Sequence, residues 1–387
     1  MRRGRTGRLI ALCWLLLVTA CTAAAPAIAP ARGAQAPGAA GVAAPASGPS
    51  AAGASPLEAL VAAARAEGRL TFLWGEGTLG GSSTIQRLAA GFNKLYGLDV
   101  QVQFTPGPAM GVVASKVLQE YQAGQTASTD LLIGYPGQIA PVAQADVLEP
   151  VDWTSWAPNV RDPALASPDG RAVTFQTAIP GITYNSQLVR GAAAPQTLQD
   201  LLEPQYRGRI AMTTYAAYFD FLASPDIWGS ARTLEFSRRF ADQVAGLIRC
   251  NELERILSGE FDLFALTCSQ ADALARKASG APIDTVIPAD APLAIYLYAA
   301  VPRNAAHPNA AKLWINYLLS REAQDTIYEA DFADSHLVPG SHTGAAIERL
   351  RSTGVPLYFV DLAFYVRQDV PALTAVQDEV RRLMLKQ

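Results

Sequence analysis

From residue 69 to residue 134 the sequence alternates apolar runs of strand length with stretches whose apolar residues recur at helical spacing. A strand is predicted over 69–74. A helix follows, marked by Ile85, Leu88, Ala89, Phe92 and Leu95 and stopped by Gly97. Residues 100–104 alternate as a second strand, 113–121 read as a helix, and 130–134 as a third strand. Parallel strands need long crossovers, so this βαβαβ rhythm implies a parallel sheet wrapped by helices. Upstream, Ser55-Pro56-Leu57-Glu58 supplies an N-cap serine, a proline at the first helical position and a glutamate that closes a capping box. A helix therefore opens the folded part and stops near Gly68.

The character changes over 150–170, which is rich in Trp, Pro and Asp. Two short strand-like runs follow at 172–177 and 181–184, then a second α/β block over about 195–287. Residues 293–301 form a strongly apolar strand, and two helices cover 307–333. The chain leaves one lobe, builds another and returns. The body of about 330 residues is too long for one comfortable core and suits two.

The N-terminus speaks to compartment. Arg2, Arg3, Arg5 and Arg8 precede an apolar run over 9–20, too short to span a bilayer as a mature helix and laid out as a secretory signal. It ends in Val18-Thr19-Ala20-Cys21, which resembles the bacterial lipobox, so Cys21 is the expected lipidation site. An ordinary signal cleaved near Ala25 is the alternative. Residues 22–55 are about three-quarters Ala, Pro and Gly. Such a composition predicts a disordered tether with a reach on the order of 30 Å. Without the four leader arginines, 27 basic residues face 34 acidic ones, and no Lys/Arg run occurs. Nucleic acid is not an expected partner.

Gly75, Gly77 and Gly80 spell G-x-G-x-x-G behind the first strand. A dinucleotide site would also need an acid at the end of the second strand, where Phe104-Thr105-Pro106 stands instead. No cofactor is expected. The turn still brings backbone N–H groups near a ligand, and Ser82 and Ser83 begin a helix whose free amides suit an anion or polar group; plain helix capping is the competing role. Cys250 and Cys268 are the two cysteines of the body, expected as a disulfide in an exported protein, with two buried thiols as the alternative. Three histidines and no Cys/His cluster leave no metal site. No G-x-S-x-G, H-E-x-x-H or P-loop is present, and the neighbours Ser341 and His342 lack a third partner, so no enzyme is expected.

Four segments carry a family resemblance: Leu57 to Gly68, Gly181-Ile182-Thr183-Tyr184-Asn185, Leu201 to Ala211 (LLEPQYRGRIA), and His307-Pro308-Asn309-Ala310-Ala311-Lys312-Leu313 with Leu318 to Gln324. They resemble the extracellular solute-binding proteins of ABC importers, family 1, the group that includes ferric-ion, thiamine and phosphonate binders. The resemblance implies a two-lobed α/β fold of the periplasmic-binding-protein type II kind, with parallel-sheet lobes joined by two crossing strands. Mapped onto this chain, it predicts a lipoprotein signal at 1–21, a tether at 22–55, lobe 1 at 56–176 and 288–345, lobe 2 at 177–287, and a C-terminal helical segment at 346–387 packing on the lobes. It implies a monomer that captures a solute and delivers it to permease subunits; the hydroxyl-rich, helix-starting cleft loops suit a small polar or anionic organic solute, and the lipid expected on Cys21 holds the protein to the membrane. A sensor module feeding a membrane receptor would look the same.

Ligands of open α/β sheets lie beyond the carboxyl ends of strands. The loops so placed offer Trp74, Gly77, Ser82 and Ser83; Tyr135; Thr213, Thr214 and Tyr215; and Thr267, Ser269 and Gln270. Tyr218 is a further aromatic candidate, and core packing is the alternative for both Trp74 and Tyr218. The ferric branch of the family carries adjacent tyrosines in the last of these loops. Here Thr267-Cys268-Ser269-Gln270 stands there, which makes ferric ion the lesser reading. His307 is expected to serve a helix start, not chemistry.

Overall fold

The computed structural model describes residues 55–75 and 78–385. The leader, the tether up to residue 54, Cys21 and Gly77 lie outside the described residues. The first helix is Pro56–Glu67. Glu58 N–H donates to the Ser55 hydroxyl (3.3 Å), Ser55 N–H donates to the Glu58 carboxylate (2.7 Å), and Gly68 closes the helix at φ 63°.

Strands β1 (Arg69–Gly75) and β2 (Gln101–Gly107) pair in parallel. A second sheet is built on β10 (Leu293–Ala300), which runs antiparallel to β3 (Leu132–Gly134) and β4 (Val173–Ala178) and parallel to β11 (Tyr358–Val360). The third sheet has the order β7-β6-β8-β5-β9, from β5 (Ile182–Asn185), β6 (Ile210–Thr213), β7 (Val244–Ile248), β8 (Leu263–Phe264) and β9 (Ile283–Val286). Here β6 is parallel to β7 and β8, whereas β5 is antiparallel to β8 and β9. The sheets are therefore mixed. Strands linked by crossover helices run parallel; the strands that carry the chain from one sheet to another enter without such a helix and run antiparallel to neighbours.

Those connecting strands explain the apolar run at 293–301. Every residue of β10 is buried. Leu293 and Ile295 belong to one hydrophobic core, and Leu297 and Ala299 to another. A strand covered on both faces has no polar side to alternate with. The link from β4 to β5 is only Ile179-Pro180-Gly181, so it too passes directly between cores.

The first core centres on Trp314, whose ring lies 5.3 Å from Phe92, 5.8 Å from Tyr317 and 5.9 Å from Phe72. The helices Ser82–Tyr96 and Pro308–Leu318 meet there so closely that a Cβ on Gly91 would sit 2.1 Å from the Tyr317 hydroxyl. Leu95, counted in the apolar stripe of the first of these helices, is 51% exposed. The second core holds Phe219, Trp228, Phe236 and Phe240, and the helix Val370–Leu385 adds Leu373, Val376, Val380 and Met384. The C-terminal segment, read as helical, contributes β11 as well. Tyr135 packs against both cores.

The His-Pro-Asn tripeptide has a structural role. His307 donates its backbone N–H to Asp130 (2.9 Å) and meets the same carboxylate through Nδ1 (2.8 Å). Glu67 accepts from the backbone N–H groups of Asn309 and Ala310, so one acid satisfies the free amides of the helix start. Ser341 likewise caps the helix His342–Ser352 through Gly344 N–H, and His342 stacks on Tyr328 at 3.7 Å. Among the described residues no helix is long and apolar enough to cross a membrane.

Candidate functional site

The described end of the G-x-G-x-x-G turn, from Thr78 onward, serves packing. Gly80 and Gly81 adopt φ 73° and 76°, open to glycine at little cost. A Cβ on Gly80 would lie 2.6 Å from that of Ala330, so the turn is pressed against the helix Arg321–Asp331. That contact brings the Leu79 backbone to the Asp331 carboxylate.

Beyond the strand ends lies a cavity of about 330 Å³. The side of the first core contributes Trp74, Tyr135, Gln176 and Asp331; the other side contributes Cys268, Ser269, Asp272 and Arg276. Trp74 comes from the end of β1, Tyr135 follows β3, and Ser269 follows the β8 loop, as the rule for open sheets requires. A larger depression of about 620 Å³ lies over 150–170, but it is walled by one stretch of chain. Its polar groups face one another, with Trp153 Nε1 donating to Gly170 and Ser167 bonded to Asp169. The smaller cavity is the better site, because two cores converge on it.

Trp74 is 1% exposed, and its Nε1–H has no acceptor among the described residues. Leaving a buried donor unpaired costs about 1–3 kcal/mol, which a guest can offset. Tyr135 stands beside Tyr218, whose hydroxyl donates to the Cys268 carbonyl at 2.6 Å. Burial pushes both phenols well above their usual range, so they remain neutral donors and acceptors. Cys250 and Cys268 are joined by a disulfide across a Cα–Cα distance of 5.8 Å. It ties the end of β7 to the end of the β8 loop and forms part of the wall. The Tyr215 hydroxyl is 3.0 Å from each sulfur; the side chain is 44% exposed while its hydroxyl end is enclosed.

Other predicted ligand residues have local duties. The Thr213 hydroxyl accepts from Ala217 N–H at 2.7 Å, and Thr267 bridges Gly181 and the Ser269 carbonyl. Gln270 opens the helix Ala271–Ala278 and donates its backbone N–H to Ile179. Ser82, Ser83 and Thr214 are exposed and do not line the cavity. Ser82 and Ser83 do begin a helix, but its N-cap is Gly81, without a side-chain cap.

Sequence reasoning missed Gln176, Asp272, Arg276 and Asp331. Gln176 is buried in β4, donating from Nε2 to Asp331 (3.0 Å) and to the Ala333 carbonyl (3.1 Å); a glutamine inside a wholly buried strand was the available signal. Asp331 ends its helix, where the dipole disfavours an acid. Burial pushes its carboxyl up to about 6, against the Gln176 hydrogen bond. Asp272 is an exposed residue, yet desolvation by the surrounding protein raises its carboxyl too, against the pull of Arg276. Backbone strain gathers here as well. Leu79, Ala216, Tyr218, Leu266 and Phe332 all have φ between 46° and 68°, a conformation worth roughly 1–3 kcal/mol of strain that tends to mark ligand clamps.

The model for bacterial extracellular solute-binding proteins matches residues 129–349, more than half of the chain. The chain belongs to the bacterial extracellular solute-binding protein family. Members capture a small molecule for ABC permease subunits outside the cytoplasm, and this solute-binding protein acts by binding, not catalysis. Among curated proteins no sequence matches it. Its fold is similar to that of the substrate-binding protein of an ABC transporter from Agrobacterium tumefaciens, with TM-score 0.67, 16% identity, and 81% of this chain and 95% of that one covered. It is also similar to iron-bound HitA from Pseudomonas aeruginosa, with TM-score 0.63, 16% identity and coverage of 81% and 99%. A third similar structure is AgtB from A. tumefaciens R10 in complex with agropinic acid, with TM-score 0.61, 18% identity and coverage of 82% and 98%. These neighbours share the periplasmic-binding-protein type II fold.

Proposed function

We propose that this solute-binding protein clamps a small polar organic molecule between Trp74, Tyr135 and Gln176 on one side and Ser269, Asp272 and the Cys250–Cys268 bridge on the other. The observation that carries this is a cavity at the strand ends, walled from two sides and holding an unpartnered indole N–H. The lobes are assigned to 56–176 with 288–345 and to 177–287, and 346–387 packs on them. A solute touching both lobes favours the closed form by its differential affinity, and the closed form docks on the permease. A single copy of the chain suffices, because both walls come from it.

Ferric ion fits less well. No tyrosine comes from the β8 loop, and the phenols of Tyr135 and Tyr218 resist ionisation. Among the described residues no group of three or more His, Cys, Asp or Glu is placed to hold a metal. HitA's iron is a property of HitA.

A thermal-shift screen of polar metabolites finds the solute, since a ligand at a hundredfold its dissociation constant adds about 2.7 kcal/mol. Ser269→Trp fills the cavity from a half-buried loop position and should weaken binding of the best hit at least tenfold, about 1.4 kcal/mol. Affinity unchanged in that variant, measured by calorimetry, moves the site elsewhere.

The anchor is proposed at Cys21, from the basic residues, apolar run and Val18-Thr19-Ala20 that precede it. Cys21→Ser should shift the protein from the membrane to the soluble fraction, and a mature N-terminus other than a lipidated Cys21 in mass spectra would refute it.

A further inference from the structure

We propose that the solute is a small organic cation, an amine or guanidinium that also carries a hydrogen-bond acceptor, held by Asp272 and Asp331. This rests on the capture reading above and narrows it. The sequence suggested a polar or anionic guest because the cleft loops are rich in hydroxyls and the helix start at Ser82 offers free amides. That helix start does not line the cavity, whereas two carboxylates do. Among the described residues the one cation in the wall is Arg276, and it is ion-paired with Glu254. Neither Asp272 nor Asp331 forms a salt bridge within the described residues; Arg276 pulls on Asp272 but is itself paired with Glu254, so two carboxylates face a single cation in the cavity wall. The second observation is independent of these acids. The Trp74 Nε1–H lies buried in a residue of the same wall with no acceptor among the described residues, which asks for an acceptor on the guest. Half-buried Tyr135 also offers aromatic surface, which favours a cation by its quadrupole.

Titration supports the geometry. Asp331 faces Asp272, Tyr135 and Gln176, with Arg276 on the opposite wall. Burial lifts its carboxyl from an ordinary 3.8 to about 6. In the empty protein that group stabilises fully below about pH 4, and its contribution is lost as the pH rises through 6. A bound cation reverses the preference by favouring the carboxylate. Binding should therefore be tightest above pH 6 and should release protons below it.

The test uses purified protein against ethanolamine, choline, L-lysine and L-arginine, with succinate, inorganic phosphate and glucose as controls, followed by thermal shift and calorimetry at pH 7.5. At least one cation-bearing probe should bind, and the controls should not. Asp272→Asn and Asp331→Asn should each weaken it at least tenfold, and acidification to pH 5 or added salt should weaken it as well. Asp331→Asn also serves as the folding control. It keeps the acceptor for Gln176 and removes a buried charge, so the empty variant should melt higher than the parent at pH 7.5 and level with it at pH 4. His336, whose burial holds its imidazole down to about 4, titrates alike in both proteins and drops out of that comparison. If a control binds and the two variants leave its affinity intact or strengthen it, the cation assignment is overturned while capture stands. If no probe of any charge binds, the assignment and the capture reading both fail.

Discussion

Trp314→Ala should destabilise the folded body by about 4 kcal/mol, the largest single-residue loss expected here. The indole is 1% exposed and meets Phe72, Phe92 and Tyr317 within 6 Å ring to ring. It joins β1, the helix Ser82–Tyr96 and its own helix Pro308–Leu318, which come from opposite ends of the sequence. Truncation removes the transfer free energy of the ring and leaves a void, because the three aromatics around it are themselves pinned and cannot collapse inward. Gly91 shows how tight the seam already is. The melting temperature should fall by on the order of 10 °C. A fall of under about 2 °C would mean that this seam does not hold the helix Pro308–Leu318 to the first core.

Reducing the Cys250–Cys268 bridge should have the second-largest effect, on stability and binding together. The cysteines are 18 residues apart, and in the chain-entropy model opening a loop of that length costs roughly 3 kcal/mol. The local consequence is sharper. The bridge lines the cavity, contacts the Tyr215 hydroxyl through both sulfurs, and fixes the Cys268 carbonyl that receives the Tyr218 hydroxyl. Tyr218 sits at φ 68°, a strained backbone held by its surroundings. Freed from the bridge, the loops after β7 and β8 should separate, and Tyr218 should leave its place beside Tyr135. Chemical denaturation with and without a thiol reductant, checked against the Cys250→Ser/Cys268→Ser double variant, reads the stability loss. Binding of the best probe should weaken at least tenfold in both. An unshifted denaturation midpoint on complete reduction, confirmed by thiol counting, would show the bridge to be an ornament of the wall.

Much of the architecture could be read in the residues because local chemistry there is decisive. Ser55, Pro56 and Glu58 specify a helix start by their own hydrogen bonds, Gly68 and Gly97 end helices at positive φ, and 293–301 is apolar throughout because both faces of β10 are covered. His307-Pro308-Asn309 could be assigned to a helix start for the same reason. The antiparallel course of the connecting strands could not be read, since a strand's direction depends on how the chain enters the sheet and leaves no mark on its own side chains. The site was legible in its loops and not in its charge. Trp74, Tyr135 and Ser269 follow strands, where the rule for open sheets puts ligands, and all three line the cavity. Asp331 and Asp272 lie 59 positions apart in the numbering and on helices, where each reads as an ordinary polar residue. Only the turn at Gly80, pressed against Ala330, and the third sheet's position bring them to one space. Thr213 and Thr267 looked like ligand hydroxyls because hydroxyls that cross-brace loops have the same spacing as hydroxyls that bind.

The central claim is that a guest in the Trp74–Tyr135–Asp331 cavity draws two lobes together. Small-angle scattering of the purified protein, with and without a saturating amount of the tightest-binding probe from the cation series, tests it directly. The account predicts a smaller radius of gyration when the probe is bound, and no such change in the Ser269→Trp variant. Identical scattering profiles at verified saturation would contradict it.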